Sequence, residues 1–161
     1  LPLDIVVTRK IGAPGQEELA LGAVDPDGEV IWDSDLLKQL DLKIENLKLK
    51  IDDEMEELIR RERLYRQGKE TLNVENKAVI LVDDGMATGA TILAAARYLK
   101  RHGAKIILAV PVVSPEALEK VENEVNKSVV LEVPEYFQAV GQFYSQFESV
   151  TDEEVVQLMR S

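Results

Sequence analysis

Cysteine is absent from the 161 residues, which excludes disulfide staples and thiol catalysis and fits a reducing, cytoplasmic setting. Histidine occurs once, and His102 falls in the last turn of a predicted helix, where it reads as a surface capping residue rather than a catalytic base. No apolar run reaches the roughly 18 residues of a membrane span and no signal-peptide pattern is present, so no membrane partner is expected. Positive charge is scarce: 19 Lys and Arg against 30 Asp and Glu leave a net charge of -11. That balance argues against a nucleic-acid-binding surface, and an anionic ligand must be held by local donors working against the global field. What remains, 45% hydrophobic and 30% charged, is ordinary globular usage for one domain with a real core. The chain starts on Leu1 rather than Met, so processing or an upstream segment is expected.

The stretch from Ala78 to Thr91 organises the reading. Ala78 to Val82 is continuously apolar and rich in β-branched residues, which predicts a strand buried on both faces of a parallel sheet. Asp83 and Asp84 stand where the strand should end. Gly85 and Gly89 loosen the backbone, and Thr88 and Thr91 add hydroxyls before a helical run from Ile92. A small-residue loop leading into a helix start favours a phosphate, because main-chain N–H groups can approach an anion and the helix supplies unpaired donors and a positive dipole end. No lysine follows Gly89 and no Gly-x-Gly-x-x-Gly occurs, so neither a Walker A loop nor a dinucleotide fingerprint is present. Carboxylates beside a phosphate need donors to face, and vicinal ribose hydroxyls fit that role. Two other readings stand beside it: an acidic helix cap, or an acidic pair on a metal. The second is weakened because neighbouring strand residues point to opposite faces.

Val-Asp-Asp-Gly-Met-Ala-Thr-Gly-Ala-Thr resembles the signature of type I phosphoribosyltransferases, which bind 5-phosphoribosyl-1-pyrophosphate (PRPP). The resemblance implies that Asp83 and Asp84 hold the two ribose hydroxyls while Gly85, Met86, Ala87, Thr88, Gly89, Ala90 and Thr91 wrap the 5-phosphate. It also implies that Lys10, with Arg9 beside it, faces the pyrophosphate, since those enzymes carry a similar Arg-Lys before a glycine- and proline-containing loop. A solvated basic pair at a strand end is the other reading of that dipeptide.

Along the chain, Leu3 to Thr8 reads as a strand ending in Arg9-Lys10, with a turn over residues 11–15. Glu18 to Val24 and Glu29 to Trp32 read as a hairpin about Asp25-Pro26-Asp27-Gly28. Asp33 or Ser34 caps a short helix through Leu40. Ile44, Leu47, Ile51, Met55 and Leu58, at spacings of three and four, predict one long helix over 43–67, kinked near Asp52 and stopped by Gly68. Its basic end, Arg60, Arg61, Arg63 and Arg66, suits a phosphate or a partner subunit. It suits equally i,i+4 pairs of Glu56 with Arg60, Glu57 with Arg61 and Glu62 with Arg66. Ile92 to His102 is helical, Lys105 to Val113 a buried-type strand, Ser114 to about Asn126 a helix and Ser128 to Val133 a strand. That alternation predicts a parallel α/β sheet, with ligands at the carboxyl ends of its strands, where Lys10, Asp83 and Asp84 would lie. Thr151, with Glu154 three residues on, caps a final helix.

Between Val133 and Tyr144 the chain concentrates its few aromatics. The segment resembles the hood of purine phosphoribosyltransferases, which makes Phe137 the base-stacking position; covering a sheet edge is the alternative. An acid that those enzymes carry nearby is replaced by Tyr144 and Ser145. Taken whole, the chain is similar to a little-characterised bacterial and archaeal phosphoribosyltransferase-like group. The resemblance implies a parallel-sheet, Rossmann-like type I phosphoribosyltransferase fold over residues 1–161, with a β-hairpin and long-helix insertion and a C-terminal hood. The group's upstream strand and Pro-Arg-Gly-Gly pyrophosphate loop are not in the sequence, so an N-terminally incomplete single domain is expected. The implied activity is transfer of phosphoribose from PRPP to a nucleobase or related nitrogenous acceptor. Mg2+ would be bound through PRPP and the protein would form a homodimer. The competing expectation is a non-catalytic, regulatory module that binds PRPP or another ribose phosphate.

Overall fold

A computed structural model describes residues 1–160, which form two compact units. One comprises Leu1–Leu72 with the stretch from Ser149 onward, the other Asn73–Glu148.

In the first unit β1 (Arg9–Ala13) and β2 (Gln16–Val24) form an antiparallel hairpin, and β3 (Val30–Trp32) pairs with the far end of β2. The expected strand over Leu3–Thr8 is not formed. Pro14-Gly15 turns the chain so that β2 reaches back only along Arg9–Ala13, and a strand exists only where a neighbour supplies its hydrogen bonds. Arg9 and Lys10 therefore lie at the start of a strand, not at its end. Two side chains of the upstream segment still serve the core, with Val7 buried and Ile5 packed against it.

After β3, α1 (Ser34–Gln39) is capped by Asp33, whose carboxylate accepts from the Leu36 N–H at 3.0 Å. A 3-10 turn over Ile44–Leu47 leads into α2 (Lys48–Arg66). The predicted helix over 43–67 is thus a 3-10 turn followed by an α-helix that is continuous through Asp52. Leu58 and Tyr65 of α2 are buried with Ile11 and Val24 of the hairpin. Burying a side chain the size of Leu58 stabilises by roughly 1.5–3 kcal/mol, so this face decides where α2 sits. Gln67 and Gly68, both at positive φ, end the helix. The expected Glu56–Arg60 pair is replaced: Glu57 takes both Arg60 (2.7 Å) and Arg61 (2.6 Å), while Arg66 lies 3.6 Å from Glu62. The Arg60 and Arg61 guanidiniums hold the Glu57 carboxyl down to about 2. The closing helix α5 (Asp152–Leu158) has the predicted capping box of Thr151 and Glu154.

The second unit is a parallel sheet in the order β4 (Ala78–Val82), β5 (Lys105–Val112), β6 (Lys127–Glu132), with α3 (Ala90–Arg101) and α4 (Pro115–Glu122) as crossovers. Right-handed crossovers in one direction put both helices on one face. There Ile92, Leu108, Val110, Val113, Ala117 and Val121 form a core. The expectation that β4 is buried on both faces is corrected. Val79 and Leu81 are half-buried, whereas Ile80 and Val82 are 51% and 67% exposed.

Candidate functional site

The acid-led loop sits where chain direction and packing dictate. β4 delivers Asp83 and Asp84 to the carboxyl end of the parallel sheet, and the chain then drops toward β5, where Met86 bridges Val113. Met86 is buried in the core, and its N–H donates to the Val112 carbonyl at 3.0 Å. Of the seven residues expected to wrap a phosphate, Met86 therefore offers neither side chain nor amide; it anchors the loop from below. Ala87 and Thr88 are exposed, Gly89 is buried, and Ala90 and Thr91 begin α3.

The glycines serve close packing rather than looseness. A Cβ on Gly85 would stand 2.8 Å from Val140 Cγ1 and 2.9 Å from Val112 Cγ1. Gly89, at φ +74, is the N-cap of α3 and lies against Ala117 of α4. With no capping side chain at Gly89, the first turn of α3 keeps its donors. The Ala90 N–H has only a 3.5 Å contact to Thr88 Oγ1, and the amides of Ala87, Thr88, Gly89 and Thr91 meet no acceptor among the described residues. The bend thus retains a set of unspent N–H groups at a helix N-terminus, an arrangement suited to an anion.

Asp83 is half-buried and Asp84 exposed. Burial pushes the Asp83 carboxyl up to about 6; the Asp84 N–H, donating to Asp83 Oδ1 at 2.9 Å, opposes the rise, and the Asp84 charge adds to it. Asp83 therefore ionises just below neutral pH. Among the described residues there is no group of three or more His, Cys, Asp or Glu side chains that could hold a metal.

Two further residues shape this loop. Ser114, buried at the N-cap of α4, donates to the Ala87 carbonyl at 2.6 Å and accepts from the Ala117 N–H at 3.1 Å. The same hydroxyl fixes both the bend before α3 and the next helix. The Tyr144 hydroxyl donates to the Asp84 carbonyl at 2.6 Å. The sequence marked Ser114 only as a helix start and Tyr144 only as a departure from the purine hood. Each partner is a main-chain carbonyl brought near by the fold, which no sequence pattern encodes. The segment after β6 folds back to the acidic loop through Tyr144 and Val140. In it Phe137 packs on Phe143 with ring centroids 5.3 Å apart, and Tyr144 on Phe147 at 5.2 Å.

Asp83, Asp84, the loop, Ser114 and the Tyr144 segment thus belong to one unit. Arg9 and Lys10 belong to the other, where Arg9 is bonded to Glu54 at 2.8 Å and Lys10 stands 3.5 Å from the fully exposed Glu18.

Comparison with known proteins identifies the family and the fold. A family model described as the phosphoribosyl transferase domain matches residues 2–148. Two Mycobacterium tuberculosis proteins, of strains CDC 1551 / Oshkosh and ATCC 25618 / H37Rv, each named "Putative phosphoribosyl transferase", are 36% identical over 156 residues, 96% of this chain and 35% of theirs. The chain thus spans about a third of the length of these relatives. A ribose-phosphate pyrophosphokinase of Marinomonas sp. is 45% identical over 62 residues, 37% of this chain and 20% of that protein. The crystal structure of TT1426 from Thermus thermophilus superposes with a TM-score of 0.74 at 38% identity, covering 97% of this chain and 74% of that one. The parallel sheet and its crossover helices are those of a type I phosphoribosyltransferase, and the chain belongs to the phosphoribosyl transferase domain family.

Proposed function

We propose that the chain binds PRPP and transfers its phosphoribosyl group to a nitrogenous base with release of pyrophosphate. The observation that carries the reading is the bend from Ala87 to Thr91: amides without protein acceptors at the start of α3, beneath two adjacent aspartates. Hydrogen bonds to a charged group contribute roughly 1.5–3 kcal/mol each, so a few of them hold a phosphomonoester without a lysine. Thr88 and Thr91 add hydroxyl donors. Asp83 and Asp84 accept from the ribose hydroxyls, and once ionised they favour the positive charge that develops on the ribose ring as the bond from C1 to pyrophosphate breaks. The base nitrogen then forms the new bond to C1. Bound Mg2+ supplies neutralisation of charge on the leaving pyrophosphate.

Lys10 is assigned to the pyrophosphate on the family resemblance. Its 3.5 Å contact to an exposed carboxylate costs little to exchange, whereas Arg9 is held by Glu54. Phe137, in the segment fastened to the Asp84 loop, is assigned to base stacking on the same ground.

Calorimetric titration with PRPP and Mg2+, followed by pyrophosphate release with a panel of bases, tests the reading. Saturable binding with turnover supports the enzyme; binding with no turnover on any base replaces it with a ribose-phosphate sensor; no binding removes both.

A further inference from the structure

Phe137 stands in a stretch after β6 that forms neither helix nor strand before the 3-10 turn over Val140–Phe143. Main-chain polar groups outside regular structure still need partners. Here they come from a single residue. Gln142 Oε1 accepts from the Gln138 N–H at 3.1 Å and from the Ala139 N–H at 3.2 Å, and Gln142 Nε2 donates to the Tyr136 carbonyl at 3.2 Å. The Gln142 N–H donates in turn to the Ala139 carbonyl at 3.2 Å. Among the described residues, residues 134–139 make no other hydrogen bonds. The main chain on either side of Phe137 is thus pinned by the two ends of one side-chain amide.

The turn that carries Gln142 is itself fastened. Val140 packs against Gly85, and the Tyr144 hydroxyl donates to the Asp84 carbonyl at 2.6 Å. A Cβ on Gly141 would stand 2.9 Å from Phe147 Cδ1, so the turn is closed against the ring on which Tyr144 packs. Phe143, next to Gln142, packs on the Phe137 ring with centroids 5.3 Å apart. The connection therefore runs from the acidic loop to the turn through Val140 and Tyr144, and from the turn to Phe137 through Gln142. All of these residues lie in the same compact unit. A carboxamide of this length is what the arrangement needs, an acceptor for two amides at one atom and a donor to a carbonyl at the other. Glutamate keeps the acceptors and lacks the donor, leucine has the size and neither, and asparagine is one methylene short.

We propose that Gln142 is the positioning residue of the acceptor subsite: by pinning residues 136–139 to the turn it sets the Phe137 ring in place for the incoming base. The inference rests on the phosphoribosyl-transfer reading and on the part that reading gives Phe137. Gln142 itself touches no substrate, since its amide is spent on main chain. A ring that stacks on the base equally before and during transfer contributes uniform binding, so loss of its position raises KM for the base and leaves kcat nearly unchanged. PRPP, held by the bend and the two acids, keeps its affinity.

The test combines calorimetry with PRPP and Mg2+ and initial rates of pyrophosphate release with the best base of the panel. It is run on the wild type, Gln142→Leu, Gln142→Glu, Phe137→Ala and the Gln142→Leu, Phe137→Ala double variant. Gln142→Leu raises KM for the base ~10-fold, while kcat and the PRPP Kd stay within about twofold of wild type. Gln142→Glu, which keeps both acceptors for the Gln138 and Ala139 amides, recovers part of that loss. The double variant is no worse than Phe137→Ala alone, because residues that act through one another are not additive. An unchanged KM in Gln142→Leu, losses that add in the double variant, or a PRPP Kd that rises as far as KM does overturns the inference; the last would mean that Gln142 only holds the unit together. A wild type that binds PRPP but turns over no base overturns the inference and leaves PRPP binding standing, whereas a wild type that does not bind PRPP removes the reading beneath it as well.

Discussion

Asp83 is a side chain whose proposed role and whose contribution to stability pull in opposite directions. Burial raises its carboxyl from 3.8 to about 6, so the folded protein holds this proton more tightly than the unfolded chain does. The sign follows directly: between about pH 4 and 6 the folded state binds more protons, and stability falls as pH rises through that window, by up to ~3 kcal/mol. Asp83→Asn removes the charge and keeps an oxygen for the Asp84 N–H. At about pH 7.5 the variant is expected to be more stable than wild type by roughly 1–3 kcal/mol, and at about pH 4, where the folded wild type is also neutral at this site, the difference vanishes. Urea melts at the two pH values check this, and an equal gain at both would mean that the charge is not the cause. The same variant is expected to lose PRPP affinity in calorimetry, the combination typical of a site that stores destabilising charge for binding. Tyr144→Phe is a milder case. It deletes the 2.6 Å bond to the Asp84 carbonyl, costs about 1 kcal/mol of stability, and weakens PRPP binding several-fold by freeing the acidic loop; unchanged affinity would reduce Tyr144 to a packing residue.

Among the elements, the run from β4 through the small-residue bend into α3 was legible because each step has a local cause. An apolar β-branched run, two acids at its end and small residues before an alanine-rich helix leave few alternatives. The α5 capping box and the Asp33 cap were legible for the same reason. What the sequence could not convey depends on partners distant along the chain. The expected strand at Leu3–Thr8 failed for want of a neighbour, and β4 read as buried on both faces because periodicity cannot tell one covered face from two. In the sequence Gly85 and Gly89 only suggest a loosened loop, whereas in the fold Val140, Val112 and Ala117 crowd them. Ser114 shows how such a contact is tested. Removing its hydroxyl uncaps α4 and frees the Ala87 carbonyl, so Ser114→Ala is expected to cost ~1–2 kcal/mol. Gly89→Ala forces a side chain into φ +74 and toward Ala117, adding a strain of about 1–2 kcal/mol. Both should weaken PRPP binding more than Arg97→Ala, a truncation on the exposed face of α3 measured in parallel; equal effects would mean that the bend does not hold the ligand.

For the whole molecule the decisive quantity is the net charge of -11. PRPP is itself strongly anionic, so the proposed ligand approaches against the overall field and is retained only by donors that act over a few ångströms. Encounter and retention then depend on salt differently. At about 10 mM ionic strength the field reaches about 30 Å into solution, and at about 150 mM about 8 Å. Raising salt across that range should increase the association rate several-fold by shortening the repulsion, while dissociation, governed by short hydrogen bonds to amides and hydroxyls, changes little. Most anion sites on basic surfaces behave the other way. Stopped-flow binding of PRPP at constant Mg2+ reads the two rates separately. Association that slows as salt is added would mean that cations, with Lys10 the first to examine, steer the ligand more strongly than the global charge repels it, and the amide-lined bend would then be the place where PRPP is held but not what draws it in.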